Sequence, residues 1–139
     1  VKSFFIDTNI LLDFLPDRKP YSDQAAIIFE HQQQRNLILY VSVISFNNLY
    51  YIISKIDGRK TAIKLLKELT DLVTVIPLDQ SIIQKSLDSN FSDFEDAIQY
   101  YSALKTKNVQ GIITRNTKDF KKSELPILTP ELAIRIIEE

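Results

Sequence analysis

Short apolar runs alternate with amphipathic stretches along most of the chain. Ser3-Phe4-Phe5-Ile6 is apolar and bounded by polar residues, the pattern of a buried strand. Asp7-Thr8-Asn9 follows, then Ile10 to Leu15 closed by Pro16, which predicts a short helix capped near Asp7 or Thr8. Ser22 caps a second expected helix to about Gln34, with Ala25, Ala26, Ile28 and Phe29 on its apolar face. Leu37–Val41 is a second strand. A helix starting at Ser42 or Ser45 carries Leu49, Tyr50, Ile52 and Ile53, and Gly58 ends the connection behind it. From Lys60 to Leu69 the apolar residues recur at three and four, a helical period.

Val73–Ile76 before Pro77 is a third strand, and Asp79 or Ser81 opens a short helix. Phe94–Lys105 is a helix capped by Ser92 or Asp93. Gly111–Thr114 and Pro126–Leu128 supply a fourth and a fifth strand, and Thr129 caps a last helix with Pro130 at its first position. Strands alternating with helices predict an α/β fold: a central parallel sheet of four to five strands with helices on both faces. No linker or repeat divides residues 1–139, so one domain is expected. In such sheets ligands bind beyond the C-terminal strand ends, so chemistry-bearing residues belong just after strands.

Composition narrows the chemistry. The 139 residues contain no cysteine, one histidine (His31) and two glycines (Gly58 and Gly111). Thiolate zinc sites, disulfides, HExxH zinc sites, the dinucleotide GxGxxG turn and the P-loop are all excluded. His31 lies in the polar stretch EHQQQR and fits a solvated helix position. Carboxylates, lysines and hydroxyls remain. The net charge of −1 excludes a strongly basic nucleic-acid binder and leaves room for local basic patches. No apolar run exceeds five residues, and the first residues lack the apolar stretch of a signal peptide, so no membrane association and a cytoplasmic location are expected.

Asp7 directly follows the first strand, where a ligand site is expected; it fits equally as a helix cap. Asp93 and Asp96 are three apart and share one helix face, with Glu95 on another. Acids at a helix start are favoured by its dipole, but Ala97, Ile98 and Tyr101 predict partial burial of Asp96. A buried carboxylate needs a cationic partner or a metal. Thr114, Asn116 and Asp119 stand at the end of the fourth strand. Oxygen ligands gathered from these places suit a hard cation such as Mg²⁺ or Mn²⁺. Two basic clusters stand out: Lys55, Arg59, Lys60, Lys64 and Lys67, and then Arg115, Lys118, Lys121 and Lys122 beside the acids. Tyr50, Tyr51, Tyr100 and Tyr101 suit either base stacking or the core.

The order IDTNILLD, SFNNLYYII, DFEDAIQYYSA and TRNTKDF resembles the PIN-domain family, in particular the VapC-type toxin ribonucleases, over nearly the whole chain. The resemblance implies a three-layer α/β/α fold, a divalent metal, RNA cleavage by activated water, a homodimer, and an antitoxin protein as partner. Residue by residue it makes Asp7 the first metal-binding acid, Asp96 the third and Asp93 its companion, with Thr8 and Asn9 supporting the first. Asn48 stands where the family commonly has a glutamate, and Asn116 at or near the fourth acid, with Asp119 three residues on. Two neutral amides in place of acids lower the charge available to a metal. Arg115 and Lys118 are the expected RNA contacts. Two other readings remain open: a catalytically weakened PIN domain that binds RNA or protein, and a different acid-site phosphohydrolase acting on small phosphate esters.

Overall fold

The structure is a computed structural model that describes residues 1–139. Five strands form one parallel sheet: β1 (Lys2–Ile6), β2 (Leu37–Ser42), β3 (Thr74–Ile76), β4 (Ile112–Ile113) and β5 (Ile127–Leu128), in the order β3-β2-β1-β4-β5. The helices are α1 (Thr8–Phe14), α2 (Tyr21–Gln33), α3 (Val43–Asp57), α4 (Arg59–Thr70), α5 (Gln80–Leu87), α6 (Phe94–Lys105) and α7 (Pro130–Glu138). A single 3₁₀ turn spans Thr117–Phe120.

The two faces of the sheet follow from strand alternation. Phe4 and Ile6 point to one face, Phe5 to the other, as the period of two requires. On the first face, Phe4, Ile6, Leu39, Val41 and Ile113 pack against Leu11, Ile28, Phe29, Leu49, Ile53, Leu69 and Ala133 from α1, α2, α3, α4 and α7. On the second, Phe5 and Ile112 pack against Tyr100 and Ala103 of α6 and against Phe120. Both faces of β1 are therefore covered, which is why its core residues read as an uninterrupted apolar run. This is the three-layer α/β/α arrangement expected from the sequence.

Four helix starts carry the side-chain caps their local sequence offers. Ser42, Asp79, Asp93 and Thr129 each accept a backbone N–H from the first turn, which decides between the paired alternatives at α3, α5 and α6. α2 differs from expectation. It begins at Tyr21 with Pro20 in the cap position, and the Ser22 hydroxyl donates to Asp17 instead. Ala26 on α2 is exposed, so the buried face is limited to Ser22, Ala25, Ile28 and Phe29.

Two glycines have steric reasons. Gly58 separates α3 from α4 at φ 87°, a left-handed conformation that side chains disfavour. Gly111 leads into β4, where a Cβ would stand 2.9 Å from the Pro126 carbonyl oxygen. That close approach lets the two short strands β4 and β5 pair.

The chain order places the site. The strands run outward from β1 through β2 to β3, then restart on the other side of β1 with β4. The crevice between β1 and β4, beyond their C-terminal ends, is the switch point where such sheets bind ligands. Asp7 follows β1 and Thr114 follows β4, one on each side of it.

Candidate metal centre

Asp7 is 2 % exposed, and its surroundings hold both carboxylate oxygens. Gln99 Nε2 donates to Oδ1 at 3.0 Å, and Thr114 Oγ1 donates to Oδ2 at 2.7 Å. The Asn9 backbone N–H adds a third stabilising contact. These bonds favour the ionised form, yet burial outweighs them and raises the Asp7 pKa; the charge of Glu95 acts in the same direction.

The partners of Asp7 are themselves fixed. The Gln99 amide oxygen accepts from the Thr8 backbone N–H at 2.9 Å and from its hydroxyl at 3.3 Å. Thr8 Oγ1 also meets Ser45 Oγ on α3 at 2.6 Å. Thr114 Oγ1 accepts the Asn116 backbone N–H at 3.0 Å while donating to Asp7. Thr8, Ser45, Gln99 and Thr114 are all buried. One polar network thus ties the ends of β1 and β4 to α3 and α6, and almost every member has its partner.

Asp96 stands at the start of α6, half-buried. Its pKa is pushed up to about 7, by burial first and then by the charges of Asp93, Asp7, Asp119 and Glu95. None of Asp7, Asp93, Asp96 or Asp119 forms an ion pair with a lysine or arginine. The acids therefore pool negative charge with no protein cation to balance it, an arrangement that favours a bound cation.

The expected site residues divide in the structure. Asp7 and Asp96 come within electrostatic reach of one another. Asp93 does so too, but its Oδ1 accepts the Asp96 backbone N–H at 3.0 Å as the helix cap. No three acids close into a group that would ligate one ion directly. Mg²⁺ commonly takes only one or two carboxylates and keeps several waters, so the all-oxygen, hard donors of Asp7 and Asp96 are compatible with such an ion. Asn9 contributes through its backbone. Asn48 is half-buried one helical turn beyond Ser45, on the same face of α3, and its side chain makes no hydrogen bond to protein. Asn116 is exposed and opens the 3₁₀ turn, and that turn brings the exposed Asp119 round towards Asp96.

Arg115 is engaged within the protein. Its guanidinium, expected to meet RNA, forms a two-pronged pair with Asp13 at 2.6 and 3.1 Å. It also lies over the Tyr21 ring, 3.8 Å from the centroid. Asp13 is 1 % exposed, so this buried carboxylate claims the arginine's fork. Lys118 stays exposed. The sequence reading missed Gln99, Ser45 and the electrostatic part of Glu95. A faint signal for Gln99 existed: it is a polar residue in the apolar stretch AIQYYSAL, three positions from Asp96.

The sequence profile of the PIN domain matches residues 3–118. The chain belongs to the PIN-domain family. This PIN domain is 31 % identical over 135 residues to Ribonuclease VapC1 of Aquifex aeolicus (strain VF5), covering 91 % of the chain and 90 % of that relative. Its fold is similar to VapBC2 from Rickettsia felis, crystallised bound to a DNA fragment from its promoter. There the TM-score is 0.65 at 16 % identity, covering 91 % of this chain and 98 % of the other. It is also similar to VapC20 of Mycobacterium tuberculosis, described as a Sarcin-Ricin loop cleaving toxin. That TM-score is 0.60 at 13 % identity, covering 78 % and 86 % of the two chains. No helix of this PIN domain is long and apolar enough to cross a membrane.

Proposed function

We propose that this PIN domain is a divalent-metal-dependent endoribonuclease that hydrolyses RNA phosphodiesters, acting as the toxin of a toxin–antitoxin pair. The observation that carries this is the pair Asp7 and Asp96 in the β1–β4 crevice, both with raised pKa values and neither with a protein cation. The named activity of the 31 % identical relative supports it. Asp7 and Asp96 would hold the ion, with Asp119 and Asp93 adding charge around it. A bound Mg²⁺ or Mn²⁺ supplies neutralisation of the scissile phosphate and acidifies the attacking water. Gln99 and Thr114 orient Asp7 from opposite sides, so its oxygens need no rearrangement when substrate arrives. Lys118, exposed beside Asp119, would receive a backbone phosphate.

An antitoxin protein and a homodimer, both implied by the family, complete this reading, with the cytoplasm as the setting expected from the composition. One alternative has its own observation. Asn48 and Asn116 are neutral where the family commonly has acids, and no three acids close on one point. A PIN domain so weakened would bind RNA or protein without cutting. A labelled RNA incubated with the wild type, Asp7→Asn and Asp96→Asn, in Mn²⁺, Mg²⁺ or EDTA, separates the two readings. Cleavage by the wild type alone, abolished by EDTA, is expected. Equal cleavage by all three proteins, or none by any, would falsify the nuclease assignment.

A further inference from the structure

A cleft of about 570 Å³ opens beside the acid cluster, between the α5–α6 connection, α6 and the segment following β4. Its size lies in the range of sites that hold small organic groups. Asp119 belongs to both the cleft and the acid cluster. On α6, Tyr100 of the cleft lies four residues beyond Asp96 on the same helix face. Four residues of helix, a rise of about 6 Å, therefore separate the two along α6, a distance one nucleotide spans.

The wall of the cleft is aromatic and rigid. Phe91 packs at centroid distances of 5.2, 6.4 and 6.2 Å against Tyr100, Tyr101 and Phe120. The Tyr100 phenol oxygen accepts the Glu124 backbone N–H at 3.1 Å, and this ring is buried, so it fixes the wall. Phe91 and Tyr101 remain half-exposed, and the Tyr101 hydroxyl has no protein partner. Lys118, Lys121 and Lys122 stand at the rim, and none forms an ion pair. Asp88 and Glu124 share that rim. The mixed signs therefore leave the lysines as separate point charges and create no broad positive field. Asn90 and Ser92 also line the cleft, with side chains that make no protein hydrogen bond and can meet a base edge.

We propose that this cleft is a nucleotide subsite for single-stranded RNA: it takes the unpaired base next to the phosphodiester held at Asp7 and Asp96. The base stacks on Phe91 and Tyr101, and Lys121 and Lys122 hold the adjoining phosphates. Aromatic stacking accepts any base, so the subsite adds affinity beside the cleavage point without reading sequence. The proposal rests on the ribonuclease reading and assigns residues of this chain to the nucleotide next to the scissile bond.

The test is equilibrium binding of a fluorescent single-stranded RNA ten-mer, followed by anisotropy in EDTA across a salt series, where no cleavage occurs. Lys121→Gln/Lys122→Gln is expected to weaken binding and to reduce the salt slope by about 0.7 for each phosphate left without its lysine. Phe91→Leu is expected to weaken binding roughly ten-fold at an unchanged slope. Lys60→Gln/Lys64→Gln on α4 serves as the control and should bind as the wild type does. Both lysine pairs are exposed, so the fold survives either substitution. Wild-type affinity and slope in the Lys121/Lys122 variant, or a wild type that does not bind the ten-mer, overturns the subsite. Failure of the nuclease reading looks different: the wild type binds the ten-mer in this way yet leaves RNA intact in Mn²⁺.

Discussion

Asp96→Asn is expected to make the metal-free protein more stable at neutral and alkaline pH. In the fold this carboxyl titrates at about 7 against an ordinary 3.8, because burial and four neighbouring acids oppose its charge. A group bound more tightly to its proton in the folded state stabilises the fold fully below pH 3.8. That contribution is lost as pH rises towards 7. Taken whole, the shift corresponds to a ceiling of about 4 kcal/mol. Asp96 is half-exposed, and solvent screening reduces the realistic figure to about 1–2 kcal/mol. Asparagine is nearly isosteric and uncharged, so it removes this cost at pH 8 and changes little at pH 4. The assay is urea unfolding of both proteins in EDTA, at intervals from pH 4 to pH 8.5. The gap in favour of Asp96→Asn should grow through the middle of that range and level off above pH 7, with a rise in Tm of roughly 5 °C on the plateau. Saturating Mn²⁺ should reverse the order, because only the wild type keeps the full donor pair. A variant no more stable than the wild type at pH 8 in EDTA refutes the argument that these acids crowd one another uncompensated.

Further outcomes follow from the same contacts. Mn²⁺ affinity, measured by calorimetry, should tighten between pH 5.5 and 7.5 and release protons, since the ion displaces the proton held on Asp96 near pH 7; a flat profile counts against Asp96 as a ligand. Gln99→Leu leaves Asp7 Oδ1 and the Thr8 N–H without their partner, and should cost about 2–4 kcal/mol of stability in urea unfolding while weakening Mn²⁺ binding. Arg115→Leu strands the buried Asp13 carboxylate at a cost of about 3 kcal/mol. The companion Asp13→Asn/Arg115→Leu double variant should recover much of that loss, which thermal unfolding would reveal.

The fold was legible because its signals are local. Caps at Ser42, Asp79, Asp93 and Thr129 act within three residues of themselves, and the strand cores are uninterrupted apolar runs. Asp7 was legible because its place after β1 is a rule of parallel sheets. What surrounds Asp7 was not. Gln99 reaches it across 92 positions and Thr114 across 107. Nothing local separates a buried, bonded Gln99 from a solvated one. The ion pair of Arg115 was hidden for the same reason: its neighbours in sequence are polar and basic, while its partner Asp13 lies 102 positions away. The family pattern placed Asp93 and Asp96 together, local sequence offered Ser92 or Asp93 as the cap, and the fold decides for Asp93.

The polar network around Asp7 also sets an order of assembly. Asp7 leaves the ribosome well before Gln99, 92 positions later, and before β4 and Thr114, 107 positions later. A nascent chain halted before Asp96 holds the first acid with neither the second acid nor the Gln99 and Thr114 side chains that fix it. For a protein that would cut RNA, this means that the machinery translating it meets an assembled site only after α6 and β4 have been made. The long reach from β1 to α6 and β4 thus acts as a delay written into the topology.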